Sequence, residues 1–590
     1  MKLPRKQKKL LLALLSSLLL IATTIAIAIG IKSHHGDNDR VKLSPATHTI
    51  LKSSCSSTRY PDLCYDAVAS APSHMVQKIS TQKDVIELSL NLTTITVEHN
   101  FFTVEKIIKT RSQNLTPRER NALHDCLETI DDTLDDLRQA IQDVASYPSN
   151  NDNSNNNNNN NKKINPSYKS LKNYADDIKT LISSAITNQE TCLDGFSHDD
   201  ADRHVRAALE RGQVHVEKMC SNALAMIKNL TDADIIAATG LVGKDDHVTK
   251  RRLYDASGWP QWMSSGDRRM LQQGPSKPDA VVAADGSGDH RTINEAVEAA
   301  PTKSKKRYVI LIKAGVHTEN VVVHKHKQNL MFVGEGRSKT IITGSKNVVD
   351  NSTTYDSATV AIMGEGFLAR DLTFQNTAGP SKHQAVALRV GADHSAFYQC
   401  DILAYQDTLY VHHSRQFFIN CLIAGTIDFI FGNAAVVIQD CDIHARMPNP
   451  NQKNMVTAQS RSDPNQNTGI VIQKSRIGAT MDLQATKGSF ETYLGRPWKA
   501  FSRTVIMQST ISDVVHPKGW HEWDGNFGLH TLYYAEYKNT GLGASTSGRV
   551  QWKGVKVISG PTEARQFSPR EFIDGDNWLP STSFPYSLDL

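Results

Sequence analysis

A short repeat in the C-terminal half restricts the fold of this chain more than any other feature of the sequence. Three segments, FYQCDI, FINCLI and IQDCDI, align on Cys400, Cys421 and Cys441. Short apolar segments separated by turn residues predict strands. A repeat that stacks like residues on neighbouring rungs, about 4.8 Å apart, is typical of a parallel β-helix. The neighbouring segments FLARDLTFQN and GIVIQKSRI predict further coils. Cys400 and Cys421 are disulfide candidates, although a reduced buried stack fits the same spacing.

The same repeat brings two acidic residues together. Asp407 and Asp428 are separated by the same step as Cys400 and Cys421, so we expect them on adjacent coils. Two carboxyl groups one rung apart do not both ionise cheaply, so one pKa should rise and leave one proton donor and one carboxylate near neutral pH. Such a pair can act as acid and nucleophile. The spacing alone also fits a structural ladder of stacked aspartates.

Two glutamines accompany the aspartates. Gln384 lies a similar step before Gln406, which predicts that both amides lie on the same patch of one sheet face. Glutamine amides can donate hydrogen bonds to a developing oxyanion without locking an aspartate in an ion pair. No GxSxG elbow occurs, so a Ser-His-Asp triad is not suggested. The histidines, such as His412 and His413, are expected at the surface or on the rim of a site.

The preceding part of the chain, residues 48–230, has helical periodicity. Its clearest stripe, with steps of three and four residues, consists of Leu123, Leu127, Ile130, Leu134, Leu137, Ile141 and Val144. Several helices that each carry one apolar stripe must bury the stripes against one another, which predicts an all-α four-helix bundle. Residues 150–161 are almost pure asparagine and have no apolar side chains to bury, so they are interpreted as a disordered insertion.

The N-terminus carries a signal for the secretory pathway. Several lysines and Arg5 precede an uncharged apolar stretch, and the segment 1–31 is therefore predicted to be a signal anchor or signal peptide, with the transmembrane anchor favoured by its length. The secretory route permits disulfides, and the absence of a CxxC pair argues against a zinc site. Glycosylation candidates, on condition that they lie on exposed loops, are Asn91, Asn114, Asn229 and Asn351.

Charge and composition exclude some functions and mark a boundary. The net charge of +5 is too diffuse for a nucleic-acid-binding protein and is compatible with a polyanionic substrate. Between the helical part and the β part, residues 231–271 lose periodicity and carry the dibasic sequence RRML at 268–271. We interpret this segment as a cleavable linker, so that the β-helical domain covers residues 272–590.

Five blocks of the C-terminal part together resemble the signature of plant pectin methylesterases. The blocks are GVHTE, QAVAL, QDTL, DFIFG and LGRPW, in that order. The resemblance implies a right-handed parallel β-helix and a secreted carboxylic ester hydrolase that removes methyl groups from cell-wall pectin without a cofactor. One departure is His317, where the first block usually has tyrosine; that block is interpreted as structural.

The resemblance also implies roles for individual residues. Asp428 matches the nucleophile, Asp407 the proton donor that later activates water, and Gln406 the residue that stabilises the transition state. The residues that match substrate-binding positions are Thr354, Gln384, Arg496 and Trp498. Arg496 is expected to pair with Asp428, and Trp498 to offer a flat face for a sugar ring.

The helical part resembles the plant invertase and pectin methylesterase inhibitor family. Cys55 with Cys64, and Cys126 with Cys192, occupy the positions of that family's two disulfides. Cys220 is then a free thiol, and RRML matches the site at which a protease separates such a pro-region from the mature esterase. The resemblance implies a zymogen whose own inhibitor-like domain silences the enzyme before export to the cell wall. Separate proteinaceous inhibitors are further expected partners.

Two alternatives stay open on sequence alone. A β-helical pectate lyase needs calcium carboxylates and a basic proton abstractor, and a polygalacturonase needs three aspartates, so the aspartate pair fits neither enzyme well. The chain is alternatively an inhibitor or binding module with an inert esterase part. The intact set of polar residues, Gln384, Gln406, Asp407, Asp428 and Arg496, argues against that view.

Overall fold

The computed structural model describes residues 43–147, 168–196, 203–241, 278–486 and 488–590. The predicted anchor at 1–31, the asparagine-rich insertion at 150–161 and the dibasic site at 268–271 lie outside these residues. None of the helices in the described ranges is long and apolar enough to span a membrane.

The described residues of the N-terminal part, 43–147, 168–196 and 203–241, are mainly helical, as predicted. The helices are α1 (Pro45–Ser56), α2 (Pro61–Ala69), α3 (Ser73–Val76), α4 (Gln82–Arg111), α5 (Pro117–Ser146), α6 (Tyr168–Asp194) and α7 (Arg203–Leu241). The long helices α4 to α7 pack in ring order, with α4 also against α7. Thr116 begins α5 with a capping box closed by Glu119, and Pro117 occupies the first turn. The last helix continues to Leu241, beyond the predicted end of the helical part at Leu230. The finer assignment, a four-helix bundle, stays a prediction.

Both predicted disulfides of the helical part are present. Cys55 is bonded to Cys64, which joins α1 to α2, and Cys126 is bonded to Cys192, which joins α5 to α6. Cys220 is a buried free thiol, as expected.

The C-terminal part winds through three parallel sheets, which confirms the β-helix; its right-handed sense stays a prediction. In spatial order the first sheet comprises β1 (Ala280–Val282), β2 (Tyr308–Ile312), β5 (Leu330–Gly334), β8 (Leu368–Arg370), β11 (Ser395–Tyr398), β14 (Arg415–Ile419), β17 (Ala435–Gln439), β20 (Gly469–Gln473), β23 (Arg503–Met507), β25 (Tyr533–Tyr537) and β26 (Val555–Val557). The second comprises β22 (Thr492–Gly495), β19 (Asn454–Gln459), β16 (Ile430–Gly432), β13 (Leu409–Val411), β10 (Leu388–Val390), β7 (Val360–Ile362) and β4 (Val321–Val323). The third comprises β24 (Thr510–Ile511), β21 (Arg476–Ala479), β18 (Asp442–Ala445), β15 (Leu422–Gly425), β12 (Asp401–Leu403), β9 (Thr373–Asn376), β6 (Thr340–Gly344) and β3 (Gly315–Thr318).

Short helices accompany the coils. They are α8 (Ile293–Ala299), the 3-10 helix Pro380–Lys382, α9 (Met481–Ala485), α10 (Pro561–Arg565), α11 (Pro569–Phe572) and α12 (Gly575–Thr582). Buried residues of α10 and α12 pack with the outer face of the first sheet. His317 is buried in β3, with its ring Nε2 3.0 Å from the Lys313 carbonyl, which supports a structural role for the first block.

The cysteine repeat has the predicted register but not the candidate disulfide. Asp401 pairs with Leu422 and Leu422 with Asp442, so the three preceding cysteines stack on successive coils. Cys400 and Cys421 are free and buried, so the structure has the reduced stack that the spacing also allowed and not the candidate disulfide. In-register stacking directs neighbouring side chains along parallel paths rather than toward each other, and the Cys421 thiol donates to the Ile419 carbonyl at 3.4 Å.

The four glycosylation candidates lie in two kinds of structure, helices and exposed turns. Asn91 lies within α4 and donates its side-chain N–H to the Glu87 carbonyl, whereas Asn229 lies within α7 and donates to Ser57; both are half-buried. This disagrees with the expected exposed loops, because a helical asparagine with a bonded amide is poorly placed for a glycan. Asn114 and Asn351 lie in exposed turns, and glycosylation there stays a prediction.

The two parts have separate cores and a polar boundary. The buried apolar residues of the helical part form one cluster, and those of the β-helix form others, with no member in common. Across the boundary, Asp463 of the β-helix accepts a hydrogen bond from Ser221 at 2.6 Å and pairs with Arg59. The helical part lies against the second sheet, the sheet that carries the aspartate pair.

Candidate active site

A cavity of about 260 Å³ lies on the outer face of the second sheet, under the helical part. From the β-helix it is lined by Thr353, Thr354, Tyr355, Gln384, Gln406, Asp407, Tyr410, Asp428, Phe431, Ala458, Arg496, Trp498 and Trp523. These lining residues include every catalytic or substrate-binding residue predicted from the sequence. The structure therefore brings them all to one place.

The aspartates lie on adjacent coils, as the repeat predicts. Leu409 pairs with Ile430, so Asp407 and Asp428 occupy equivalent positions two residues before their strands. Both have left-handed backbone conformations, with φ of 63° and 51°. Aspartate tolerates this region better than most residues, and such conformations cluster at functional sites. Both side chains are largely buried, at 7% and 6% exposure.

Arg496 holds Asp428 at two points. Its Nε donates to one carboxylate oxygen at 2.8 Å and its Nη2 to the other at 2.6 Å. The preceding Gly495 explains part of the LGRPW block, because a Cβ atom there would lie 2.1 Å from the Thr457 hydroxyl. Glycine at this position therefore lets β22 lie close to β19, and the next residue, Arg496, lies within hydrogen-bond distance of Asp428. The guanidinium carbon also lies 4.3 Å from the ring centroid of Trp523.

Asp407 has a different environment. Burial raises its pKa well above the ordinary value, the negative charge of Asp428 raises it further, and Arg496 opposes both. The carboxyl group is thus suited to carry a proton at neutral pH, beside a carboxylate that is paired with arginine. The predicted division of roles, with Asp407 as proton donor and Asp428 as nucleophile, stays a prediction.

The glutamines lie beside this pair, although with a different register from the one expected. Ala385, not Gln384, is opposite Gln406, since the Ala385 N–H donates to the Gln406 carbonyl. The repeat step is one residue shorter than the spacing of the two glutamines. Both nevertheless line the cavity, and the side-chain oxygen of Gln406 is buried without a hydrogen-bond partner among the described residues.

Aromatic side chains form the walls of the cavity. Phe431 stacks on Tyr410 with ring centroids 4.3 Å apart, and Trp498 stacks near Trp523 at 6.5 Å. Sequence reasoning found Trp498 but missed the other three. Tyr410 lies three residues after Asp407, and Phe431 lies three residues after Asp428. The repeat could therefore have predicted that both rings lie beside the aspartates. For Trp523 we find no such signal.

The helical part closes the cavity. Its residues Arg118, Thr191, Asp194 and Gly195 line the same space as the aspartates. Asp194 also accepts a hydrogen bond from Lys499, the residue after Trp498, at 3.2 Å.

The expected rim histidines are in fact buried under this cover. A hydrogen bond of 2.8 Å joins the His412 ring to the Thr191 hydroxyl, and His413 is only 5% exposed. Burial lowers the pKa of His412 well below its usual range and that of His413 to about 3. The prediction placed them at the surface because the docking of the helical part cannot be read from local sequence.

Comparison with known proteins agrees with both halves of this arrangement. Residues 279–576 match the Pectinesterase family, and residues 49–226 match the family described as plant invertase/pectin methylesterase inhibitor. The chain is 62% identical over 587 residues to "Pectinesterase 1" of Citrus sinensis, covering all of this chain and 96% of that protein. The chain belongs to the pectinesterase family.

Other relatives of this pectinesterase show the same two-part organisation or the esterase half alone. "Pectinesterase/pectinesterase inhibitor 3" of Arabidopsis thaliana is 60% identical and covers 99% of this chain and 98% of its own length. The solved structure "Pectin methylesterase from Carrot" is 71% identical with a TM-score of 0.53, and it covers 53% of this chain and 99% of its own. The prediction of a carboxylic ester hydrolase with an inhibitor-like helical domain is confirmed.

Proposed function

We propose that this pectinesterase hydrolyses the methyl esters of homogalacturonan to pectate and methanol through an aspartyl acyl-enzyme, and that its helical domain blocks the reaction in cis. The observation that carries the proposal is the asymmetric aspartate pair. Asp428 is held at two points by Arg496, while Asp407 beside it has a raised pKa. One group is thereby suited to attack and the other to donate a proton.

In the first half-reaction, the Asp428 carboxylate attacks the ester carbonyl and forms a tetrahedral intermediate. The glutamine amides of Gln384 and Gln406 donate hydrogen bonds to its oxyanion. The bond to the methoxy group then breaks, and Asp407 transfers its proton to the departing oxygen. Methanol leaves, and the galacturonyl group remains joined to Asp428 as an anhydride.

In the second half-reaction, Asp407 is a carboxylate and accepts a proton from water. The hydroxide attacks the galacturonyl carbonyl, the bond to Asp428 breaks, and the Asp428 carboxylate is restored. Asp407 is protonated again. The net change is one ester and one water converted to one carboxylic acid and one methanol, with no cofactor in the steps.

Substrate binding uses the remaining wall residues. Arg496 contributes positive charge next to the reacting ester, and Trp498 and Thr354 line the cavity around it. An aromatic face and a hydroxyl suit a sugar ring, which has one apolar face and a polar edge. These roles are part of the proposal.

Inhibition in cis is supported by the position of the helical domain. A polymer can reach Asp407 and Asp428 only along the outer face of the second sheet, and Thr191, Asp194 and Gly195 occupy that approach. We infer a zymogen with an inhibitory domain at 48–230, a linker at 231–271 cut by a protease at 268–271, and a catalytic domain at 272–590. In this proposal the chain enters through the segment 1–31 and acts in the extracellular cell wall.

The test uses the catalytic fragment, residues 272–590. It should fold alone, because it has its own core and the carrot chain of this half forms the same fold. We expect methanol release from highly methylated pectin by the fragment and a loss of at least ~10³-fold in its Asp428→Asn variant.

Asp442→Asn is the matched control for this test. It removes another aspartate that pairs with an arginine, Arg476, but it lies on the third sheet, away from the cavity. It should retain activity. A folded fragment without methanol release, or equal activity in Asp428→Asn, would contradict the proposal.

A further inference from the structure

A second arginine lies on the floor of the covered face, and the proposed reaction makes no use of it. Arg389 pairs in register with Tyr410, which pairs with Phe431. Arg389 is therefore one coil from the level of Asp407 and two coils, or about 10 Å, from that of Asp428. Its side chain is only 4% exposed in the full chain.

The Arg389 guanidinium has poor partners for a buried cation. Its nearest carboxylate is Glu128 of α5, with an N to O distance of 3.7 Å, and its Nη1 meets the Met363 sulfur at 3.4 Å. Its Nε has no hydrogen-bond partner within the described ranges. The guanidinium stacks on Tyr355, 3.3 Å from the ring centroid. Arginine frequently pairs with a carboxylate at two points, and Arg389 makes no such contact with the described residues, so its guanidinium is undersatisfied.

Helix α5 places a row of acidic side chains along this surface. Asp125 accepts a hydrogen bond from Thr353, Glu128 accepts one from Tyr355, and Asp132 pairs with Lys325. Lys325 also contacts two more acids of the same helix, Asp131 and Asp135, at 2.5 and 2.7 Å. Steps of three and four residues space the row by about 4.5 and 6 Å. Unesterified galacturonan likewise presents one carboxylate on every sugar.

We propose that Arg389 and Lys325 form a subsite that binds free carboxylates of pectin beside the ester under attack, and that α5 covers this subsite with acidic side chains of its own. The inference rests on the proposed function, because it concerns the same polymer on the same covered face of the β-helix. Removal of the helical domain exposes the undersatisfied guanidinium, and a galacturonate carboxylate then supplies the two-point contact that Glu128 does not make.

The subsite has a consequence for substrate preference. An ester whose neighbours on this side are already demethylated gains an ion pair at Arg389, whereas a fully methylated stretch does not. The catalytic fragment should therefore favour esters next to free carboxylates, so that each product carboxylate helps to bind the chain for the next cleavage.

The direct experiment measures carboxylate binding in the catalytic fragment. An unmethylated galacturonate hexamer is used as a competitive inhibitor of methanol release. Charged hydrogen bonds contribute enough that Arg389→Gln should raise the inhibition constant about tenfold or more. Arg389→Lys should retain part of the affinity, and Lys325→Gln should show a smaller rise because that lysine is more exposed. Arg476→Gln, which removes an arginine on the third sheet, should leave the constant unchanged.

A second readout separates this subsite from general effects on folding or catalysis. The ratio of kcat/KM on partially demethylated pectin to kcat/KM on fully methylated pectin should fall severalfold in Arg389→Gln and stay constant in Arg476→Gln. Thermal melts confirm folding of each variant, and Lys325→Gln tests the same subsite if Arg389→Gln does not fold.

The outcomes distinguish this inference from the proposed function. An active fragment in which Arg389→Gln and Lys325→Gln leave both the inhibition constant and the substrate ratio within twofold overturns the subsite. A folded fragment without methanol release overturns the esterase proposal instead. In that case, calorimetric titration of the hexamer into the fragment and its Arg389→Gln variant still decides whether the anion subsite exists.

Discussion

Arg496 and Asp428 form a two-point ion pair on the floor of a cleft that also contains Asp407. The guanidinium donates to both oxygens of Asp428, at 2.8 and 2.6 Å, and its charge opposes the rise in the pKa of Asp407. One arginine thus acts on both carboxyl groups. The pair separates their roles: the carboxylate in contact with arginine is the proposed nucleophile, and the more isolated carboxyl group is the proposed acid.

Replacement of Arg496 by glutamine should impair catalysis and move the pH profile. Loss of one partner from a buried, hydrogen-bonded ion pair costs several kcal/mol, so we expect kcat/KM of the catalytic fragment to fall by about 10²-fold or more. Arg496 opposes the rise in the pKa of Asp407, so without the guanidinium this carboxyl group keeps its proton to higher pH and the alkaline limb of the profile should move to higher pH. A pH series of methanol release measures this; an unchanged alkaline limb would count against the role of Arg496.

The alkaline limb of the profile should report Asp407. The proposed acid works only while it is protonated, so kcat/KM should fall as the pH rises through its raised pKa. Asp407→Asn removes the proton donor and should lower kcat/KM by 10²–10⁴-fold, the usual range for general acid catalysis. The residual rate should lack the alkaline decline. A variant that keeps the same decline would assign that limb to another group.

Inhibition by the helical domain should weaken as the pH rises. Burial raises the pKa of Asp125 to about 8, and the acids Glu128 and Asp356 add to the rise, while the Thr353 hydroxyl and Arg389 oppose it. When the domain opens, the carboxyl group returns toward its ordinary pKa of 3.8. The closed form then binds more protons than the open form, so its stability is greatest below about pH 4 and is lost as the pH rises toward about 8.

The measurement is the ratio of methanol release by the uncut chain to release by the catalytic fragment, from pH 5 to pH 8. The ratio should increase with pH. Asp125→Asn keeps a hydrogen-bonding group but removes the titration, so its ratio should be flatter. Asp232→Asn, at an exposed ion pair with Lys228 on α7, should behave as the parent. A ratio in the parent that is independent of pH would refute the linkage.

The disulfide from Cys126 to Cys192 should maintain inhibition. It closes a loop of 66 residues and joins α5 to the end of α6, next to Thr191 and Asp194 in the cavity. By chain entropy its loss should destabilise the helical domain by roughly 4 kcal/mol. We expect the double serine variant of this pair to release more methanol as uncut chain. The corresponding variant of Cys55 and Cys64, a separation of 9 residues, should have a smaller effect. Equal activation by both variants would contradict this account.

The sequence repeat predicts the architecture correctly because the position of a side chain in a β-helix depends mainly on the number of residues in each coil. The same step that stacks Cys400 on Cys421 places Asp407 beside Asp428. The expected position of Gln384 differed by one residue because its spacing departs from that step. A candidate disulfide failed for a related reason: stacking brings cysteines near each other without directing their sulfurs together.

What the sequence could not reveal depends on contacts between distant parts of the chain. Trp523 approaches Arg496 from a loop without a repeat signal, and His412 is buried only because Thr191 of the helical part lies over it. Local periodicity identifies the helix that carries Thr191 but not the surface on which it docks. The closed cleft therefore emerged only from the structure.

The central claim is that the helical domain closes an active aspartyl esterase. The most direct measurement compares methanol release from highly methylated pectin by equal concentrations of the uncut chain and of the catalytic fragment, residues 272–590. The account predicts release by the fragment and at most a few percent of that rate from the uncut chain. Equal specific activities of the two forms would contradict it.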